Sequence, residues 1–159
     1  MLRPLLFIFA ATFALASCGS RVYDEYRHAA KTGWEKNDTL NFNVPPLRQG
    51  GNYQIDLGLR ISNEFIFTNV TLIVEATVFP ARRIISDTLD CALIRRNGEY
   101  IKKGIGYHQY LFSAGQLPLQ AGDSLHITVR HDMKRSILPG ITDVGILVSK
   151  SPKPSDSAF

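Results

Sequence analysis

The sequence has little of the chemistry on which most enzymes and metalloproteins depend. It contains two cysteines and four histidines in 159 residues, and it lacks the G-x-S-x-G, H-E-x-x-H and C-x-x-C motifs as well as a glycine-rich phosphate loop. His28 and His108 lie in no recognisable motif. His126 and His131 are five residues apart on or just beyond one predicted strand, so they should project to opposite faces. We therefore expect no catalytic residue, no metal site and no cofactor, and we predict that the protein is not an enzyme.

The carboxylate pair Asp56 and Glu75 and the single residue Cys91 are weaker candidates for a reactive site. Asp56 and Glu75 could lie across a predicted hairpin as paired carboxylates, but cross-strand neighbours of this kind usually face solvent and are balanced by cations such as Arg60. Cys91 falls on the buried side of its predicted strand, where a free cysteine behaves as a small hydrophobic residue. We expect neither to be reactive.

Charge of one sign is not concentrated anywhere in the chain. Lysine and arginine number 18 and aspartate and glutamate 14, which gives a formal charge of +4. Four short basic pairs lie near predicted turns, where charges are normally solvated: Arg82-Arg83, Arg95-Arg96, Lys102-Lys103 and Lys134-Arg135. A polyanion-binding or anionic-lipid surface is the alternative interpretation. Without a basic stripe, nucleic acid is not an expected partner.

The long apolar run in the sequence is at its beginning. Residues 5–15 are apolar except Thr12, follow Arg3, and lead through small residues to Cys18. The run is too short to span a bilayer, which needs about 20 apolar residues. The order is typical of a bacterial lipoprotein signal peptide at 1–17 with acylation of Cys18; an ordinary cleaved secretory signal is the competing interpretation. Acylation of Cys18 would leave Cys91 without an intrachain disulfide partner.

Apolar stripes of helical period are missing, whereas strict alternation recurs from residue 39 onward. This pattern predicts an all-β fold, an antiparallel β-sandwich of about seven to eight strands, with closure into a barrel as the alternative. The clearest strands, 53–61 and 70–78, are close enough to suggest a hairpin. We expect an anchor and lead segment at 18–37, in which 20–31 could form a short helical turn, the sandwich at 38–150, and a disordered tail at 151–159.

Several surface features could carry binding or modification. Trp34, Tyr23 and Tyr26 lie in the lead segment and are interface candidates, since tryptophan is enriched among interface anchors. The aromatic cluster Tyr100, Tyr107, Tyr110 and Phe112 is expected mainly to pack in the core, with a glycan-binding or protein-binding surface as the alternative. Asp-Ser/Thr-apolar triplets resemble the O-glycosylation acceptor pattern of Bacteroidetes envelope proteins at four positions: Thr39, Thr88, Ser124 and Ser157.

Four segments in order carry a resemblance to a known family. They are residues 18–26 (Cys-Gly-Ser-Arg-Val-Tyr-Asp-Glu-Tyr), Gly33-Trp34, residues 87–89 (Asp-Thr-Leu) and residues 140–146 (Gly-Ile-Thr-Asp-Val-Gly-Ile). With this order and spacing the sequence resembles the gliding-motility lipoprotein family GldH of Bacteroidetes over nearly the whole mature chain. The resemblance implies no catalytic residues.

The resemblance implies a cell-envelope lipoprotein associated with the gliding apparatus and the type IX secretion system. We therefore expect a membrane-anchored, non-enzymatic accessory or assembly component whose partners are the membrane and other gliding or secretion envelope proteins. A glycan-binding envelope lipoprotein is the alternative. No acidic run follows Cys18 directly, which favours attachment to the outer membrane facing the periplasm.

Overall fold

The computed structural model describes residues 21–151, which form an all-β structure without a helix. Two four-stranded antiparallel sheets face each other, and a short two-stranded ribbon lies beside them. The first sheet has the order β1-β10-β4-β7 and the second β3-β8-β5-β6. The strands are β1 (Arg21–His28), β2 (Trp34–Glu35), β3 (Leu40–Val44), β4 (Gly51–Ser62), β5 (Asn69–Phe79), β6 (Arg83–Ala92), β7 (Tyr107–Leu119), β8 (Ser124–His131), β9 (Ile137–Leu138) and β10 (Ile141–Lys150). The all-β sandwich prediction is confirmed. Within residues 21–151 there is no helix of the length and hydropathy needed to cross a membrane.

The hydrophobic core fills the space between the two sheets, as alternation predicts. In β4 the buried side chains Leu57, Leu59 and Ile61 point inward, and in β5 Val70 and Leu72 meet them from the other sheet. Each fully buried aliphatic side chain of this size contributes about 1.5–3 kcal/mol relative to exposure. The outer faces of both sheets carry most of the polar residues.

The predicted hairpin between residues 53–61 and 70–78 is wrong. β4 pairs with β10 and β7 in the first sheet, whereas β5 pairs with β6 and β8 in the second. Residues 63–68 therefore cross from one sheet to the other. Asp56 and Glu75 consequently lie on different sheets, and Asp56 instead accepts a hydrogen bond from Gln54 Nε2 at 3.0 Å.

The segment expected to lead into the sandwich contributes one of its edge strands. Residues 21–28 form β1, which pairs antiparallel with β10 from Arg21 opposite Ser149 to His28 opposite Asp143. The helical turn considered for 20–31 is not formed in the described part of that segment. We place the beginning of the sandwich at β1 rather than at residue 38, because ladder hydrogen bonds hold a strand whose side chains are largely polar.

Candidate functional site

The outer face of the first sheet contains a trough formed by two glycines. Alternate residues of a strand face outward, and the register places Tyr26, Gly145, Gly58 and Leu111 in one row across β1, β10, β4 and β7. Gly145 and Gly58 carry no side chain, so the middle of the row is open. The phenol of Tyr26 lies across both positions.

Tyr26 is held in this trough by the two glycine strands and by Arg60. A Cβ at Gly145 would lie 2.6 Å from Cε1 of the ring, and one at Gly58 would overlap the phenol oxygen. Cζ of Arg60 lies over the ring, 4.4 Å from its centroid, in a cation–π arrangement. Gln109 Nε2 donates to the hydroxyl at 3.4 Å. Burial raises the pKa of Tyr26 and the Arg60 charge opposes that effect, so the phenol stays neutral.

A shallow depression of about 750 Å³ surrounds the Tyr26 ring. Leu111 and Leu147 supply apolar walls, while Arg21, Asp24 and Lys102 supply charges at the rim. Arg21 Nη1 and Asp24 Oδ2 form an exposed ion pair at 2.5 Å. Because Arg60 also faces the depression, basic groups there outnumber the single carboxylate, and the surface favours an acidic or amphipathic ligand.

A buried carboxylate adjoins the depression on the same face. Asp143 is 7 % exposed and lies opposite Arg60 in the ladder and opposite His28 on β1. His28 Nδ1 approaches Asp143 Oδ1 to 2.5 Å, but the approach is not aligned as a hydrogen bond. The contact is therefore electrostatic, and it is a full ion pair only when the imidazole carries its second proton.

The three predicted interface residues lie in different environments. Trp34 is fully buried rather than exposed, with Nε1 donating to the Asp38 carbonyl at 2.9 Å, so it is not available as a surface anchor. Tyr23 faces the sandwich interior, and its hydroxyl donates a hydrogen bond to the Glu25 carboxylate. Burial is the main cause that raises the pKa of Tyr23, and this hydrogen bond is the second. Of the three, Tyr26 lies on the outer face.

The aromatic cluster of residues 100–112 is divided between core and surface. Tyr110 is 3 % exposed and its hydroxyl donates to the Leu93 carbonyl at 2.7 Å, and Phe112 and Tyr100 pack against the core. Tyr107 is 62 % exposed on the outer face of β7. Core packing therefore accounts for most of these rings, as predicted.

Other groups considered for chemistry have structural environments. His126 is partly exposed and His131 fully buried, on opposite faces of β8 as predicted. Burial raises the pKa of the Cys91 thiol to about 12, so it stays protonated and unreactive. Across residues 21–151 no three side chains of His, Cys, Asp or Glu are grouped to hold a metal ion.

The predicted modification sites are only partly covered by the structure. Thr88 is exposed on β6, whereas Thr39 and Ser124 are partly exposed. Cys18, Ser157, the signal peptide and residues 152–159 of the predicted tail lie outside the described residues. Acylation and glycosylation stay predictions.

Sequence reasoning missed Gly58, Gly145 and Arg60 as functional candidates. Gly58 interrupts the outward positions of the most regular strand in the chain, and a glycine inside a strand often marks a close approach by another group. That signal was present in the sequence. The identity of the group that fills the gap was not, because Tyr26 is 32 residues away on a strand that had been assigned to the lead segment.

Comparison with known proteins gives matches over most of the chain. The family described as GldH lipoprotein matches residues 21–148. A protein of Christiangramia forsetii called gliding motility lipoprotein GldH homolog is 30% identical, over 92% of this chain and 95% of its own. Flavobacterium johnsoniae gliding motility lipoprotein GldH is 29% identical, over 88% of this chain and 92% of its own.

Similarity to solved structures is weaker. A family 35 carbohydrate binding module from Clostridium thermocellum superposes with a TM-score of 0.42 at 15% identity, covering 80% of this chain and 88% of that one. A likeness of this degree carries no functional argument. The family match, in contrast, covers residues 21–148, and the chain belongs to the GldH lipoprotein family.

Proposed function

We propose that this protein is a membrane-anchored lipoprotein that serves gliding motility as a non-enzymatic accessory or assembly component, in machinery shared with type IX secretion. The observation that carries the proposal is membership of the GldH lipoprotein family over nearly the whole sandwich. The names of both relatives include gliding motility. The depression around Tyr26 supports a docking role, and the described side chains form no catalytic constellation.

The proposed anchor is lipid on Cys18, at the outer membrane and facing the periplasm. The apolar run, the small residues before Cys18 and the polar residues after it support acylation. The absence of an acidic run directly after Cys18 supports the periplasmic orientation. The sandwich would then be concentrated at one membrane surface, where an assembly component meets its partners.

The proposed docking surface is the Tyr26 face of the first sheet. Tyrosine and arginine are among the residue types enriched at interface hot spots, and here Arg60 lies over the Tyr26 ring. Leu111 is 54 % exposed beside them. A partner segment with acidic groups next to apolar side chains fits this combination of charge and apolar surface.

The alternative function, glycan binding, has less support at this surface. Stacking on a sugar requires an accessible aromatic ring, and the Tyr26 ring is packed against the glycine trough and has Arg60 over one face. Protein docking does not require an open ring face. The Tyr26 face therefore favours the assembly role.

Crosslinking in cells that produce the native protein tests the proposal. Arg60→Glu should abolish recovery of motility or secretion components, because it reverses the central charge of the docking surface. Arg130→Glu is the matched control, since Arg130 is exposed on the outer face of the other sheet, and it should retain the partners.

Three results would contradict this assignment. Unchanged partners with Arg60→Glu would exclude the Tyr26 face as the docking surface. Recovery of bulk lipoproteins alone by the native chain would remove the basis for an assembly role. Binding of the purified protein to a glycan array, lost in Arg60→Glu, would replace docking to a protein with the glycan alternative.

A further inference from the structure

The start of β1 identifies one end of the sandwich. Arg21 is the first residue of β1 and lies opposite Ser149 near the end of β10. In the first sheet Gly51 pairs with Leu119, and in the second sheet Phe79 pairs with Ser124, at the same end. The connections β3–β4, β5–β6 and β7–β8 therefore lie at this end. We call this the anchor end: the start of β1, the end of β10, and the turns at 45–50, 80–82 and 120–123.

The anchor end cannot be far from Cys18. Two residues, Gly19 and Ser20, separate Cys18 from Arg21. A fully extended chain advances at most about 3.6 Å per residue, so the Cα atoms of Cys18 and Arg21 are within about 11 Å of each other. If Cys18 carries lipid, a step that rests on the proposed function, this short link holds the anchor end at the headgroup layer.

The charges at the anchor end are mostly positive. Its turns and strand ends carry the basic residues Arg21, Arg48, Arg82, Arg83 and Lys150. The acidic residue in these turns is Asp123, whose carboxylate is occupied in accepting the Gln120 N–H at 2.8 Å. Arg21 is paired with Asp24 at this end, as Lys36 is with Asp132 and Arg95 with Glu99 at the opposite end, which is also net basic. Among the described residues, Arg48, Arg82, Arg83 and Lys150 are the anchor-end basic groups without a carboxylate partner, and their position beside Cys18 distinguishes them from the basic groups of the opposite end. The positive excess at the anchor end is complementary to a negatively charged membrane surface.

The turn between β5 and β6 adds apolar surface to this charge. Phe79 is 38 % exposed at the end of β5, and the exposed Arg82 and Arg83 follow within four residues. Arg83 Nη2 donates to the Pro118 carbonyl at 2.9 Å, which braces the turn against β7. An aromatic ring next to arginines suits the boundary between headgroups and acyl chains, where the ring enters the apolar layer and the guanidinium groups reach phosphate.

We infer that the anchor end is a second membrane contact, which binds anionic phospholipid headgroups through Arg48, Arg82 and their basic neighbours. The sandwich then stands on the membrane with its strands directed away from the surface. The loops at the opposite end, which contain Arg95 and Lys134, project toward the periplasm. The lipid determines that the protein is bound, and the basic anchor end determines how it is oriented.

The acylated full-length chain in vesicles tests this orientation. A fluorophore on Ala81→Cys reports on the β5–β6 turn and one on Asn97→Cys on the opposite end; both positions are exposed, whereas Cys91 is buried and does not label. Vesicles of phosphatidylethanolamine and phosphatidylglycerol carry a headgroup-linked quencher. Quenching at position 81 should exceed that at position 97 several-fold, and should decrease in phosphatidylcholine vesicles or at high salt.

Charge reversal provides matched variants. Arg48→Glu with Arg82→Glu should reduce quenching at position 81 to the level at position 97, whereas Arg96→Glu with Lys134→Glu, an equal change at the opposite end, should not. Equal quenching at both positions in the native chain, or no effect of the first pair, would overturn the inference. A chain that does not co-float with vesicles at all would instead show that acylation fails, so the two failures are distinguishable.

Discussion

At the scale of single residues, Trp34 and His131 form a fully buried polar pair in the core. The His131 ring packs edge-on against Trp34, with centroids 5.3 Å apart. Its Nε2–H donates to the Trp34 carbonyl at 3.1 Å, and Nδ1 accepts the Met133 N–H at 3.4 Å. A neutral imidazole satisfies both contacts, and burial lowers the pKa of His131.

This lowered pKa predicts how stability depends on pH. In the unfolded chain His131 takes up a proton as the pH falls below about 6.5, whereas in the folded chain it does not until a lower pH. The free energy of unfolding should therefore be fully retained above pH 6.5 and decrease as the pH falls toward the folded-state pKa. His131→Gln, whose amide can donate to the same carbonyl, should remove this contribution in urea titrations, and His126→Gln should retain it. An unchanged pH dependence in His131→Gln would contradict the assignment.

Trp34 shows why burial of a single residue was not predictable. It precedes the regular alternation and has polar neighbours, so the local sequence does not distinguish a surface anchor from a core residue. Its burial depends on β2 pairing with β9, where Trp34 lies opposite Leu138, more than a hundred positions later. A local pattern contains no information about that contact.

At the scale of elements, β1 depends on the glycine trough that receives Tyr26. An edge strand with Arg, Asp, Glu and His side chains buries little apolar surface of its own. Its ladder bonds to β10 and the packing of the Tyr26 ring on Gly145 and Gly58 therefore contribute much of its attachment. Loss of the trough should loosen the strand that leads to Cys18.

Substitution of a trough glycine tests this dependence. Gly58→Ala places a methyl group where the phenol of Tyr26 lies, and overpacking of this kind costs about 1–3 kcal/mol. In a double-mutant cycle, Gly58→Ala should cost much less in a Tyr26→Ala background, because the clash is absent there. Denaturant unfolding of the four proteins measures the coupling. Equal costs in both backgrounds would show that Tyr26 does not occupy the trough.

Strand faces were predictable, but strand partners were not. The inward positions of β4 and the buried side of Cys91 follow from alternation alone. The pairing of β4 with β10 joins residues about 90 apart and was not indicated by any local signal. The short connection between β4 and β5 suggested a hairpin, although it crosses between sheets.

At the scale of the whole molecule, one cysteine is expected to decide where the protein resides. Cys18→Ala removes the acyl acceptor, and because each buried CH₂ contributes about 0.8 kcal/mol, loss of multiple acyl chains removes most of the membrane affinity. Fractionation should show the variant in the soluble fraction. Cys91→Ala, which alters the buried cysteine, should stay with membranes. Persistence of Cys18→Ala in membranes would show that something other than acylation holds the protein.

From the amino-acid sequence we could infer the all-β class, the inward or outward direction of most strand residues, and the expected lipid site at Cys18. These are local properties, because the pleat alternates every residue and a signal peptide is recognised as a linear segment. The tertiary structure alone decided that Trp34 is buried, that β1 is an edge strand, and that Tyr26 meets Gly58 and Arg60. Those outcomes depend on which distant strands pair, and pairing is selected by closure of the whole core rather than by any one segment.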